Sequence, residues 1–300
     1  MLNLCNSFLG ECSVVPFSKY HALGNDYIVI DPRKTPVAMT EQNVRLLCDR
    51  HLGIGSDGVL YGPFYEQGVP LVRIYNPDGS EAEKSGNGVR IFARYLIDEG
   101  YESAQQFVLR TLGGEVSVRM LDPDGSLIQV DMGVTTFRSD LIPVAGPTRD
   151  VIDEPMNIGG KTYRVTCVSI GNPHCVIPVD ELSKDMAMVL GPLVENHEMF
   201  PNRINVQLLK VVDRNTIEIE IWERGAGYTL ASGSSSCAAA SAAHRLGLVE
   251  PEVNVRMPGG EMQVKLCSDG HVFLTGSVTP VMRGQFLQAL NHACVKLSEA

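Results

Sequence analysis

The 300-residue chain lacks any uninterrupted run of 18 or more apolar residues, which excludes a membrane-spanning helix. Its first fourteen residues, MLNLCNSFLGECSV, have neither a basic start nor an unbroken apolar core. They do not resemble a secretory signal. We therefore expect residues 1–14 to form a short N-terminal extension.

Positive charge is scarce in this sequence. There are 25 Lys and Arg residues against 35 Asp and Glu residues, which gives a net charge of −10. Nucleic acids and anionic membranes bind surfaces on which Lys and Arg are clustered. We therefore expect neither a nucleic acid nor a membrane as a partner.

The eight cysteines lack the spacing of a structural metal site. None forms a C-x-x-C pair, and no histidine lies at a metal-ligand spacing from one, so we expect no zinc. Cys48, Cys175, Cys237 and Cys267 lie in apolar stretches, where a reduced thiol behaves as a small hydrophobic side chain. This usage predicts the cytoplasm as the compartment.

An internal repeat runs through the chain with an offset of 147 residues. Gly24-Asn25 leads into a strand-like stretch at 27–31, and Gly171-Asn172 leads into another at 174–180. Further landmarks recur in the same order: apolar stretches 71–75 and 218–222, Ser85 and Ser232, Gly-Gly-Glu segments at 113–118 and 259–264, and Asp-Gly turns at 124–125 and 269–270. Four or more landmarks at nearly one offset indicate a tandem duplication.

The duplication predicts an α/β fold of two pseudo-symmetric lobes with a cleft between them, because 300 residues suit two domains of about 150. Each lobe is expected to be a mostly antiparallel sheet or barrel around a central helix that begins directly after a serine. We place the first lobe at 15–134, with 278–300 returning to it, and the second lobe at 135–277. Proline and glycine cluster near 133–160, where the linker is expected.

The paired serines suggest an anion site. Each precedes a predicted helix, and a helix start offers free backbone N–H groups and the positive end of the dipole. Two facing starts could clamp one carboxylate, with Asn87, Ser234 and Ser235 as further uncharged donors. Serine is also among the best N-cap residues, so Ser85 and Ser232 could simply cap their helices. The matched positions in both halves favour the anion site.

Four other polar residues or pairs are candidates, each with a plainer alternative. The adjacent Glu223-Arg224 could bind the amino and carboxylate groups of an amino acid, or form a surface ion pair. Asn76 and Asn205 flank apolar stretches, where asparagine often only forms a turn. His174 could be a general base or a buried, hydrogen-bonded histidine. No dinucleotide fingerprint, phosphate loop or G-x-S-x-G elbow is present.

The sequence is similar to the diaminopimelate epimerase family. The shared motifs occur in the same order, between about residue 17 and residue 280. The similarity lies in six motifs: Tyr20-His-Ala-Leu-Gly-Asn-Asp26, Asp49-Arg-His-Leu-Gly-Ile-Gly-Ser-Asp-Gly58, Asn76-Pro-Asp-Gly-Ser-Glu-Ala-Glu83, Ser85-Gly-Asn-Gly88, Gly171-Asn-Pro-His174 and Trp222-Glu-Arg-Gly-Ala-Gly227. The resemblance implies a cofactor-free homodimeric isomerase of lysine and peptidoglycan-precursor synthesis. Such an enzyme interconverts LL- and meso-diaminopimelate by moving a proton at the α-carbon.

The resemblance also implies roles for individual residues. The groups that hold the reacting carboxylate by their backbone would be Gly86-Asn87 and Gly233-Ser234, while His174 and Glu223 would tune the two proton carriers. The implied substrate binders are Asn25, Asn76, Asn172, Asn205, Glu223 and Arg224.

The sequence departs from the family at the proton carriers, which are cysteines there and Ser85 and Ser232 here. A helix start can lower a thiol pKa enough to give a thiolate, whereas an alcohol is a far weaker acid. A serine pair should therefore transfer protons poorly unless His174 or Glu223 acts as the base. A second departure is Gly58, which cannot supply the glutamine that the family sometimes places there.

The serines could be native to a divergent branch or introduced to trap substrate. Ser234-Ser235-Ser236 stands where the family usually has Thr-Gly-Ala, which favours the native origin. Two alternatives to the epimerase stay open at this point. One is a racemase or isomerase of another amino acid on the same fold, and the other is a non-catalytic amino-acid-binding protein.

Overall fold

The computed structural model describes residues 14–287 of the chain. The N-terminal extension expected at 1–14 therefore lies outside the described residues except for Val14, as does the last part of the returning segment.

The described part of the first half contains eight strands and two helices. The strands are β1 Val15–Ala22, β2 Asn25–Ile30, β3 Val59–Glu66, β4 Val69–Tyr75, β5 Glu81–Ala82, β6 Gln106–Thr111, β7 Gly114–Met120 and β8 Leu127–Val134. The helices are α1 Glu41–Cys48 and α2 Gly86–Asp98.

The described part of the second half repeats this order from β10 to β17 and adds two strands, β9 before it and β18 after it. Its strands are β9 Glu154–Ile158, β10 Lys161–Ser169, β11 Pro173–Pro178, β12 Asn205–Asp213, β13 Thr216–Glu223, β14 Gly227–Thr229, β15 Glu252–Met257, β16 Gly260–Leu266, β17 His271–Ser277 and β18 Thr279–Phe286. Its helices are α3 Lys184–Glu195 and α4 Gly233–Arg245. The mixed α/β fold, made mostly of strands, is confirmed.

Corresponding strand pairs in the two halves show the repeat. β2 and β3 run parallel with Ile28 opposite Val59, and β11 and β12 run parallel with His174 opposite Asn205. Most other pairs are antiparallel hairpins, and the Asp-Gly turns join β7 to β8 and β16 to β17. The glycines of those turns, Gly125 and Gly270, have φ of 66° and 89°, values that favour glycine.

Among residues 14–287, each half has two helices rather than the one expected from the sequence. α1 has eight residues, so its apolar periodicity covers barely two turns, although Thr40 caps it. α3 contains Pro192, a residue that normally indicates a helix end. No helix in the described part of the chain is long and apolar enough to cross a membrane.

The two halves share one hydrophobic core. Apolar residues of α2, including Ile91, Phe92 and Leu96, belong to the same buried cluster as the alanines 238–240 of α4. Strands also cross between the halves: β8 pairs with β17, and β18 pairs with β1. The lobe boundaries at 134/135 and 277/278 remain predictions.

We predict that Leu96→Ala lowers the free energy of unfolding by about 2–5 kcal/mol, because Leu96 is fully buried in the shared core and its loss leaves a cavity. The matched change Leu112→Ala removes a side chain that is 65% exposed and should cost within about 0.5 kcal/mol. Chemical denaturation of both variants measures the difference. Equal losses would contradict the shared core.

Candidate active site

Both serines cap their helices as the sequence predicted. Ser85 Oγ accepts a hydrogen bond from the Gly88 N–H at 3.0 Å, and Ser232 Oγ accepts one from the Ser235 N–H at 3.4 Å. Each hydroxyl is therefore held at the start of a 13-residue helix, close to the positive end of its dipole.

The two helix starts meet at a pair of glycines. A methyl group built on Gly233 would lie 3.6 Å from Cα of Gly86 and only 2.8 Å from Cδ2 of Leu274. A side chain on Gly233 would have to displace the end of Leu274, so glycine favours this packing. The caps occupy the third N–H of each helix, and no acceptor among the described residues pairs with the first two N–H groups of either helix. Four N–H donors and two positive dipole ends thus lie together, which suits a carboxylate.

Asparagine side chains border this point in both halves. In the first half, Asn87 Nδ2 donates to Asn25 Oδ1 at 3.1 Å. At the equivalent place in the second half, Asn172 Nδ2 lies 3.5 Å from Ser234 Oγ. The structure thus places the predicted substrate binders Asn25 and Asn172 beside Asn87 and Ser234, which the sequence predicts to hold the carboxylate by their backbone.

A fully buried arginine lies behind the helix starts. Arg90 donates to the Gly86 carbonyl at 3.2 Å and to Asn87 Oδ1 at 2.7 Å, and no carboxylate among the described residues pairs with it. Burial lowers the pKa of Arg90 to about 10, so the guanidinium stays charged at neutral pH.

Arg90 also begins a chain of side-chain hydrogen bonds. Because arginine can only donate, Asn87 must turn its oxygen to Arg90 and its nitrogen to Asn25. Asn25 Nδ2 in turn donates to Asp57 Oδ2 at 3.1 Å. A donor-only group at one end and a carboxylate at the other therefore fix the orientation of both amides.

His174 is fully buried and neutral. Its Nε2 lies 2.9 Å from Asn172 Oδ1, while no partner for Nδ1 is found among the described residues. Desolvation lowers the pKa of His174 to about 3. The structure therefore brings this ring to Asn172 and records no hydrogen bond from it to either serine.

Glu223, Arg224 and Asn205 lie together at the end of β13. Asn205 Oδ1 accepts from the Arg224 backbone N–H at 3.0 Å, and its Nδ2 donates to the Pro173 carbonyl at 2.8 Å. Burial raises the pKa of Glu223, and a hydrogen bond from the Ser232 hydroxyl opposes that rise. Arg224 itself is exposed and donates to the Asn202 carbonyl.

Asn76 is exposed in the turn after β4. Its backbone N–H donates to the Ser80 carbonyl at 2.8 Å and its side chain to Ser80 Oγ at 3.0 Å. It makes no described hydrogen bond to the other candidate residues, so the structure does not join it to the rest of the site.

Sequence reasoning missed three residues of this site: Tyr27, whose hydroxyl lies 3.2 Å from Ser85 Oγ, the buried Arg90, and Asp57. Tyr27 could have been found, because it stands 147 residues before His174 in the repeat. Arg90 carried no such signal, since arginine on a helix is normally exposed.

Within the described residues, no three His, Cys, Asp or Glu side chains are grouped so that they could hold a metal ion. The described cysteines, which are Cys48, Cys167, Cys175, Cys237 and Cys267, are free thiols.

Comparison with known proteins identifies the relatives of this chain. The family model described as diaminopimelate epimerase matches residues 17–138 and 166–281. The chain is 49% identical over 270 residues to diaminopimelate epimerase 2 of Nostoc sp., covering 90% of this chain and 94% of that protein. It is 39% identical over 280 residues to diaminopimelate epimerase of Moorella thermoacetica, covering 90% and 98%.

Solved structures resemble the fold at low sequence identity. A probable proline racemase from Agrobacterium radiobacter, solved with bound carbonate, matches with a TM-score of 0.67 and 16% identity over 92% of this chain and 93% of that one. At this identity the similarity concerns the fold alone.

We predict that His174 makes stability depend on pH. Its pKa is lowered from 6.5 to about 3 in the folded protein, so the folded state loses stability as pH falls below 6.5. The loss attributable to His174 should reach roughly 2 kcal/mol at pH 5, at about 1.4 kcal/mol per pH unit.

The measurement is the difference in unfolding free energy between the wild type and His174→Gln from pH 7 to pH 5. The difference should change across this range, whereas the same comparison with His51→Gln, at an exposed histidine, should stay flat. A flat difference for His174→Gln would show that the ring is not buried in neutral form.

Proposed function

The chain belongs to the diaminopimelate epimerase family, and we propose from this premise that it interconverts LL- and meso-diaminopimelate by proton transfer at the α-carbon. It would be an isomerase that works without a cofactor. The single observation that supports the reaction best is the meeting of two capped helix starts at Gly86 and Gly233.

The helix starts would bind the carboxylate next to the reacting carbon. Removal of the α-proton places negative charge on the carbon and on this carboxylate, so donors aimed at its oxygens stabilise the transition state more than the ground state. The N–H groups of Gly86, Asn87, Gly233 and Ser234 are the donors. The charge of Arg90 behind them acts in the same direction.

The proton carriers would be the hydroxyls of Ser85 and Ser232, one from each half. A serine hydroxyl is too weak an acid to serve as a stored alkoxide, so each needs an ionisable partner. For Ser232 this partner would be Glu223, whose pKa the Ser232 hydroxyl lowers. His174 stays neutral at working pH and would orient Asn172 instead.

Diaminopimelate is the favoured substrate because the family's binders of a second amino-acid head group are retained. Asn205 and Arg224 already contact each other, and Glu223 adjoins them. Asn76 would join the site only with substrate bound. We further propose a cytoplasmic homodimer that acts in lysine and peptidoglycan-precursor synthesis, which rests on the family and on the reduced thiols.

We predict that the protein, incubated with LL-diaminopimelate in deuterium oxide, incorporates deuterium at the α-carbon. Mass spectrometry of the recovered amino acid follows the exchange. Tight binding without exchange would favour the amino-acid-binding protein. Absence of binding, together with exchange on another amino acid, would favour a racemase of different specificity.

We predict that Ser85→Cys/Ser232→Cys raises the exchange rate by about 10²-fold or more, because a thiol at a helix start gives a thiolate that a hydroxyl cannot match. The matched control is Ser241→Cys, which places a thiol on α4 away from the helix start and should change nothing. A double variant that folds, binds substrate and exchanges no faster would refute the role given to positions 85 and 232.

A further inference from the structure

Ser85 also has an ionisable partner, and that partner is Tyr27 on β2. The phenol hydroxyl lies 3.2 Å from Ser85 Oγ, and either oxygen can donate. The Tyr27 side chain is buried, with 7% of its surface exposed. Its hydroxyl contacts Ser85, the residue that the family resemblance identifies as one of the two proton carriers.

Gly58 makes room for this ring. A methyl group built on Gly58 would lie 2.7 Å from Cε1 of Tyr27 and 2.6 Å from the Tyr75 carbonyl. β2 and β3 run parallel, with Ile28 opposite Val59, so Tyr27 and Gly58 stand one step before this pair. Any side chain at position 58 would displace the ring. Position 58, where the family sometimes has a glutamine, is therefore glycine here, and this glycine leaves room for the Tyr27 ring.

Ser85 Oγ has the hydrogen-bonding capacity that a relay needs. A hydroxyl has one proton and two lone pairs. One lone pair accepts the Gly88 N–H at 3.0 Å, and the remaining lone pair and the proton are left for Tyr27 and for a ligand. Ser85 can therefore donate to Tyr27 and accept from a ligand, or the reverse, without losing its cap.

The same arrangement recurs in the second half with a different acid. The Ser232 hydroxyl lowers the pKa of Glu223, so each serine at a helix start acts on, or contacts, one ionisable side chain. Glu223 is also close enough for its charge to raise the pKa of Tyr27. The charge states of the two ionisable partners are therefore linked.

We propose that Tyr27 is a positioning and proton-relay residue that acts through Ser85, as Glu223 acts through Ser232. This inference rests on the proposed epimerase function. It explains how two serines could take the place of two thiols: neither serine holds a negative charge, and each passes its proton to or from a stronger acid.

The proton transfers balance. On one face the α-C–H bond breaks, its proton goes to Ser85 Oγ, and the proton of Ser85 moves to the Tyr27 phenolate. The electron pair stays on the α-carbon and its carboxylate. On the other face the Ser232 proton forms the new C–H bond, and Ser232 takes a proton from the Glu223 carboxylic acid. One negative charge leaves Tyr27 and one appears on Glu223. The reverse reaction retraces these steps.

The two directions should differ in their dependence on pH. Burial, the largest cause, raises the pKa of Tyr27 to about 12, so roughly one molecule in 10⁴ carries the phenolate at pH 8. Abstraction on the Ser85 face needs the phenolate and should accelerate about tenfold per pH unit. Abstraction on the Ser232 face uses the Glu223 carboxylate as the base and does not need the Tyr27 phenolate, so its rate should not rise with the ionisation of Tyr27.

A double-mutant cycle tests the relay, using the wild type, Tyr27→Phe, Ser85→Cys and the two changes combined. The readout is α-proton exchange in deuterium oxide, starting from each isomer, between pH 7 and pH 10. Tyr27→Phe should slow the wild type by about 10²-fold and abolish the rise with pH. In the Ser85→Cys background it should slow exchange less than about threefold, because the thiol ionises itself.

The outcomes separate this inference from the epimerase proposal. If Tyr27→Phe leaves the exchange of the wild type unchanged, the relay is overturned and the epimerase proposal is not. The same holds if Tyr27→Phe slows exchange equally in the wild type and in the Ser85→Cys background. A wild type that exchanges no α-proton would overturn both. Tyr61→Phe is the matched control, because Tyr61 is also 7% exposed and no described hydrogen bond joins it to Ser85 or Ser232; it should leave exchange unchanged.

Discussion

The close approach of α2 and α4 at Gly86 and Gly233 is the constraint on which the rest of the site depends. Each helix brings the positive end of its dipole to that point, and the charged Arg90 lies directly behind with no carboxylate among the described residues to neutralise it. Like charges held together in a partly buried place repel one another. The hydrophobic packing of both helices in one core offsets this repulsion, and an anion between the helix starts relieves it.

Carboxylate binding and proton transfer are therefore supplied by different atoms. The carboxylate meets backbone N–H groups, which do not depend on the side chain at positions 85 or 232. The proton chemistry depends on side chains, namely the two hydroxyls and the acids that touch them. A change of thiol to hydroxyl at those positions can leave binding intact while it alters the acids and bases that must assist.

The sequence was sufficient to predict the repeat, the two serine-capped helices and the Asp-Gly hairpins, because each of these leaves a local pattern that the duplication doubles. It was not sufficient for α1 and α3, which are too short or interrupted by Pro192 to leave a clear periodicity. Asn25 and Asn87 were predicted as neighbours of one ligand, and they do contact each other.

Tyr27 and Arg90 were missed for a different reason. A tyrosine in an apolar strand and an arginine on an amphipathic helix have ordinary explanations, as a core residue and an exposed residue. Their contacts depend on how α2 packs against β2 and β16, which is set by tertiary structure and not by local sequence.

The pairing of β18 with β1 has a consequence for the connectivity of the fold. Val15 stands opposite Phe286, so the chain enters and leaves the described structure at adjacent points of one sheet. Ends that lie together can be joined, and new ends opened in a surface loop such as 145–149, without loss of a strand pair. The order of the elements along the chain is thus one of several that could encode the same arrangement in space.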